Sequence, residues 1–232
     1  MAKAFSRRAV LLGLSATATL GAAPVRHAFA ALDDKPFYFL TPEEARSLAL
    51  LCDTLIPKDE HPSASEAGVV DFIDIQMAGP YGKGEGLYLE PPFFEGSPEQ
   101  GYQLPLVPAD LIRTGLAAFQ RAEPTFAQAD AAGREAIMTR LSEGEMDFGD
   151  LPALAFFDEL WKLTNQGYFA DPIHGGNKGY AGWEMVGFPG AHAYYLSFVD
   201  KHNVRYPQPP MGINHEPGGD GNLPAPKEAE EP

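Results

Sequence analysis

Asp171 and His174 are the residues of this sequence whose types and spacing come nearest to chemistry. A carboxylate beside an imidazole can shuttle a proton. The same pair can also fix a loop or meet a partner, and the surrounding residues favour that use. The other histidines, His27, His61, His192, His202 and His215, form no pair at the three- or four-residue spacing that would set two metal ligands on one helical face. Cys52 is the sole cysteine, which excludes an internal disulfide and the CxxCH of covalent haem. Gly82-Lys83-Gly84-Glu85-Gly86 is glycine-rich but follows no strand, so it is no dinucleotide fingerprint. Neither a GxSxG elbow nor HExxH is present. No catalytic, cofactor-binding or metal-binding residue is therefore expected in this chain.

The Asp–His pair lies inside Asn165–Gly190, where seven glycines fall between Gly167 and Gly190 among Tyr168, Phe169, Tyr180, Trp183 and Phe188. Glycine admits backbone that must take φ > 0 or lie close against another surface, and the aromatics supply apolar area with few rotors to freeze. A connection this long is functional or disordered, and its aromatics argue against disorder. Asp171 before Pro172 predicts a turn hydrogen bond. Asn177 after Gly175 and Gly176 suits left-handed geometry or capping. Trp183 is an anchor, either buried in this domain or filling a partner's pocket.

The elements that must position this loop are helical. Thr41-Pro42-Glu43-Glu44 predicts a capped helix start, with the helix running to Leu55 and stopping before Pro57. Cys52 shares an apolar face with Leu48, Leu51 and Leu55, which predicts burial. Further helices are expected over 65–78, 108–122, 130–141 and 152–166, the last capped by Gly167, and a short one over 191–201. No segment alternates like a strand. Residues 80–107 form a second long loop rich in Gly, Pro and aromatics, read as an arm lying on a partner. The expected class is mostly α: one helical domain over 31–206 with two long ordered loops, then an extended or disordered tail over 207–232.

Residues 1–30 read as a twin-arginine signal peptide. Arg7 and Arg8 precede a short apolar run, and Ala28-Phe29-Ala30 predicts cleavage after Ala30. Gly13, Ser15, Thr17, Thr19 and Gly21 dilute that run below what a membrane span of about 20 apolar residues needs. Val10 departs mildly from the Phe usual at its position. This export route carries folded proteins, so the chain is expected to bind a cofactor or to travel with a partner that does. The signal holds Lys3, Arg7, Arg8 and Arg26, so 17 basic residues fall to 13 against 32 acidic ones, a net −19. A surface that acidic disfavours nucleic acid and direct membrane binding.

Gly167-Tyr168-Phe169-Ala170-Asp171-Pro172, His174, Gly175-Gly176-Asn177, Trp183 and Gly187-Phe188-Pro189-Gly190 resemble the signature of the small subunit of flavin-dependent gluconate 2-dehydrogenases. Gly96–Arg113, which includes Tyr102, looks more specifically like the gluconate-oxidising members. With the amino-terminal signal, the likeness covers most of residues 1–215. It implies a non-catalytic subunit that helps a large FAD-containing partner of the glucose–methanol–choline oxidoreductase type to fold, and escorts it through the twin-arginine translocon. That partner oxidises D-gluconate to 2-keto-D-gluconate. A multi-haem cytochrome c holds the complex on the periplasmic face of the inner membrane and passes electrons to quinone. The motif residues and Tyr102 would then form the partner interface. Related complexes acting on 2-ketogluconate, sorbitol or fructose stay open. So do a stand-alone periplasmic sugar binder or enzyme using His174 and Asp171, and a periplasmic scaffold.

Overall fold

The computed structural model describes residues 35–94, 96–97, 103–193 and 195–214. Arg7, Arg8, Ala30, Tyr102 and the tail beyond residue 214 lie outside the described residues.

Helix α1 (Pro42–Leu55) begins as its sequence predicts. Thr41 Oγ1 accepts the Glu44 N–H at 3.2 Å, and Glu44 returns a carboxylate oxygen to the Thr41 N–H at 2.8 Å. It ends at Leu55, one residue before the position that Pro57 forces out of helical geometry. Its inward stripe is Leu48, Leu51, Cys52 and Leu55.

Helix α2 (Val69–Ala78) starts four residues later than its pattern predicts. Gly68 takes φ +83, which breaks the helix. A Cβ there would lie 2.8 Å from the Lys178 side chain and 3.0 Å from the Gly175 carbonyl, so the incoming signature segment sets the boundary. Helix α2 is buried nearly all round, and Asp71 and Asp74 are buried with its apolar residues.

Helices α3 (Pro108–Ala122) and α4 (Ala131–Ser142) match their predicted limits, and Asp130 caps α4 by accepting the Gly133 N–H at 2.8 Å. Helix α5 (Ala153–Phe169) is the axis of the bundle and packs against α1, α2, α3 and α4. Leu48, Leu51, Ile73, Leu111, Phe156 and Leu160 meet in the core around it. Gly167 does not cap this helix: α5 continues to Phe169, with Gly167 packed on the Phe72 ring and Tyr168 fully buried. The Tyr168 hydroxyl donates to the Pro62 carbonyl at 2.7 Å.

The signature segment holds a further helix that its sequence did not suggest, α6 (Ala181–Val186), and 3-10 turns at Pro172–His174 and Lys178–Tyr180. The helix expected over 191–201 forms only a 3-10 turn, Leu196–Phe198, none of whose residues is buried. A short helix that buries no face has nothing to offset its nucleation cost. Among the described residues there are no strands, and one parallel bridge joins Gly190 to Met211. The class is thus a single helical domain, as expected.

Candidate partner-docking site

The last carbonyls of a helix need partners from outside it. At the end of α5 the signature segment supplies them. Asn177 Nδ2 donates to the Ala170 carbonyl at 2.8 Å, and its Oδ1 accepts the Gly182 N–H at 2.8 Å. Asn177 is fully buried at φ 48 and ψ 39, left-handed geometry that asparagine tolerates. The Trp183 indole Nε1 donates to the Phe169 carbonyl at 2.8 Å. Its ring stacks on Tyr180 at 5.3 Å and meets the edge of Phe188 at 5.0 Å. Gly176 lies so close beneath α5 that a Cβ would fall 2.1 Å from the Gly167 carbonyl oxygen. Lys178 ties the segment to α2: its ammonium pairs with the buried Asp71 carboxylate, and its N–H donates to the Ala67 carbonyl at 2.9 Å.

Asp171 is occupied by main chain. Oδ1 accepts the Ile173 N–H at 3.1 Å, opening the Pro172–His174 turn, and Oδ2 accepts the Ile213 N–H at 2.8 Å. The Tyr180 hydroxyl accepts the Gly212 N–H at 2.8 Å. With the Gly190–Met211 bridge, these bonds strap residues 211–213 across the signature. What joins Asp171 to His174 is also main chain, the His174 N–H to the Asp171 carbonyl at 3.0 Å. The carboxylate is thus committed to holding backbone rather than to orienting the imidazole.

The motif residues therefore divide. Pro172, Gly175, Gly176, Asn177, Trp183 and Gly190 are turned inward, while Asp171 and Pro189 are half-buried. His174, Gly187 and Phe188 face outward. His174 lines an open cleft of roughly 520 Å³ with Phe72, Gln76, Gln166, Phe169 and Asp171.

The arm over 80–107 starts beside this cleft. The Gly82 N–H donates to the carbonyl of Gln76, a cleft residue, at 2.9 Å. Tyr81 bonds Glu159 and Lys162 on α5, where Glu159 and Lys162 pair at 2.6 Å. Positions 159, 162, 166 and 169 form one ridge of a helix, so arm root and cleft share a face. Leu104, Leu106 and Val107 return the arm to the core. Between them Tyr88 is 87% and Phe94 73% exposed.

Several structural groups were not singled out in the sequence. Asp74 accepts the N–H groups of Tyr38, Phe39 and Leu40, each at 2.8 Å, and so fixes the lead-in to α1. Asp53 holds Ser65 through its N–H and hydroxyl, both at 2.7 Å, and burial raises its carboxyl above the usual range. Within the apolar run Val69-Val70-Asp71-Phe72-Ile73-Asp74, the acids themselves are the signal that could have marked Asp71 and Asp74. Cys52 is buried as expected, its Sγ 3.3 Å from Thr164 Oγ1, and desolvation pushes the thiol up to about 12. Among the described residues no cluster of three or more His, Cys, Asp or Glu could hold a metal. None of the described helices is long and apolar enough to cross a membrane.

A family model described as gluconate 2-dehydrogenase subunit 3 matches residues 42–190. No curated protein and no solved structure matches the chain significantly. The match begins at the first residue of α1 and ends at the glycine that bridges to Met211, spanning every helix and the whole signature. By that match over more than half of its length, the chain belongs to the gluconate 2-dehydrogenase subunit 3 family.

Proposed function

We propose that the chain is the non-catalytic small subunit of a periplasmic, FAD-dependent gluconate 2-dehydrogenase complex. The family name implies membership of a multi-subunit dehydrogenase. The observation that carries the reading is the shared face on which an arm exposing Tyr88 and Phe94 rises beside the signature cleft. Rigid aromatics with few rotors are the residues that anchor protein interfaces, and a stable subunit contact commonly buries more than about 2,000 Å². An exposed aromatic arm has little reason to persist on a chain that works alone.

In this reading the large subunit, of the glucose–methanol–choline oxidoreductase type, holds FAD and takes hydride from C2 of D-gluconate, giving 2-keto-D-gluconate. A multi-haem cytochrome c subunit carries the electrons to quinone at the outer face of the inner membrane. The small subunit clamps and stabilises the flavin subunit, and Arg7 and Arg8 address the folded pair to the twin-arginine translocon. Substrate choice belongs to the flavin subunit, so a sorbitol, fructose or 2-ketogluconate complex would use this chain in the same way.

The test is co-expression with the flavoprotein, with Arg7 and Arg8 intact or both changed to Lys. Loss of flavoprotein and dye-linked gluconate oxidation from the periplasm in the double-Lys form supports the escort role. Export of active flavoprotein without this chain overturns it. A second reading, sugar binding by the isolated chain, is favoured by the amides of Gln76 and Gln166 beside His174 in one open cleft. It requires gluconate or a related sugar to raise the melting temperature of the chain alone.

A further inference from the structure

The cleft beside His174 is fixed in place, yet three of its polar side chains are unengaged. Among the described residues the carboxamides of Gln76 and Gln166 and the imidazole of His174 form no hydrogen bond. Asp171, by contrast, gives both carboxylate oxygens to main-chain N–H groups, Ile173 at 3.1 Å and Ile213 at 2.8 Å. On α2, Phe72 and Gln76 lie four residues apart, and on α5, Gln166 and Phe169 lie three apart. At those spacings helical side chains are neighbours. Each helix therefore brings an amide and a ring to the cleft, and the two helices pack on each other.

The lining contains no lysine or arginine. A sugar acid carries a carboxylate best met by an ammonium or a two-pronged guanidinium, and this cleft offers neither. Gln166 and His174 are exposed, so a small ligand would keep much of its surface in water. Sites for such ligands ordinarily bury roughly 70–90% of them. A polypeptide main chain suits the cleft better. Each peptide group carries a donor and an acceptor that need partners once covered, and a carboxamide offers both. A crossing chain also gains area beyond the cleft, toward the arm whose Gly82 N–H bonds the Gln76 carbonyl at 2.9 Å.

The geometry points to this cleft as the seat of an extended, uncharged main-chain segment of the flavin subunit. Gln76 and Gln166 read its peptide groups, and one apolar side chain rests on the half-buried Phe169 ring. The segment is uncharged because Asp171 has already spent its carboxylate on backbone, and a chain of net charge −15 adds nothing for an anion. The amides sit on packed helices, so little ordering is lost when the segment arrives. The inference rests on the subunit reading, and it gives to the partner the cleft that sugar binding would need.

The test measures capture of the flavin subunit by calorimetry, using the full chain as processed by the expressing cell. Variants are Gln76→Met with Gln166→Met, which keeps side-chain length but removes both amides, and Gln166→Met alone. Tyr88→Ala reports the arm, and Gln128→Met is a control outside the cleft. Unchanged far-UV circular dichroism and melting temperature verify folding. The expected result is affinity about tenfold lower in the double variant, a smaller loss in Gln166→Met and no change in Gln128→Met. D-gluconate added to the chain alone should leave its melting temperature where it was. Equal capture by parent and double variant, with Tyr88→Ala weakened, overturns the inference and leaves the subunit reading standing. No capture by the parent overturns both. A gluconate-induced rise in melting temperature that the double variant loses overturns it in favour of a sugar site. Capture that improves when the chain is ended after Asn214, and only with both amides present, overturns it in favour of the chain's own tail.

Discussion

The signature segment and the arm are both long, glycine-rich and studded with aromatics, yet they face opposite ways. In the first, Asn177 is 0% and Trp183 6% exposed, and each donates a hydrogen bond to a carbonyl at the end of α5. In the second, Tyr88 and Phe94 stand in solvent between two roots that are pinned to α5 and to the core. Composition alone does not separate them. What separates them is whether the loop meets unsatisfied backbone within its own chain. The α5 terminus offers open carbonyls, which the signature fills. Tyr88 and Phe94 of the arm stay exposed, so their apolar area remains available for a second protein.

The largest effect that would break this comparison is expected inside the signature. Asn177→Ala leaves the buried Gly182 N–H and the half-buried Ala170 carbonyl without these partners, at a cost of about 1–4 kcal/mol. It should lower the urea midpoint at an unchanged m-value; a shift under about 0.5 kcal/mol would deny the staple. Gly176→Ala places a methyl against the Gly167 carbonyl and should destabilise by about 1–3 kcal/mol, checked by the same titration.

The arm predicts the opposite pattern. Tyr88→Ala or Phe94→Ala should leave the stability of the isolated chain within about 0.5 kcal/mol. Each should weaken capture of the flavin subunit by about 2 kcal/mol, a hot-spot loss measurable by calorimetry. Equal effects on folding and on capture would remove the distinction between the two loops.

At neutral pH the smallest effect comes from the core beneath both, because it arises only as the solution turns strongly alkaline. Cys52 is uncharged in the folded chain up to about 12, whereas the unfolded thiol titrates near 9.0. Its contribution to stability is full below pH 9.0 and is lost as pH rises toward 12, with a slope approaching about 1.4 kcal/mol per pH unit. At pH 8 the native chain should resist thiol reagents until it is unfolded, which a urea-dependent labelling time course checks. Rapid native labelling would contradict the burial.

Much of the fold was legible because its signals are local. Thr41, Pro42 and Glu44 open α1, Pro57 closes it, Asp130 caps α4, and the apolar period of each helix names its inward face. Asp171 before Pro172 was likewise readable as a turn, since its Oδ1 reaches only to Ile173. The second bond of Asp171, to Ile213, was not readable, because nothing between those positions announces that the chain returns.

The sequence by itself determined an all-helical class, the inward face of α1 and the place of its boundaries, because those follow from propensity, capping and period within a few residues. Only the tertiary structure decided that Gly167 continues α5, that Gly68 delays α2, and that Trp183 turns inward while Tyr88 turns outward. It also decided that the helix expected over 191–201 is reduced to the 3-10 turn Leu196–Phe198. Each of these depends on what a residue meets from a distant part of the chain: Phe72 against Gly167, Lys178 against Gly68, the Phe169 carbonyl before Trp183. A backbone group left open at one point is satisfied by a side chain far along the sequence, and that pairing exists only once the chain has folded.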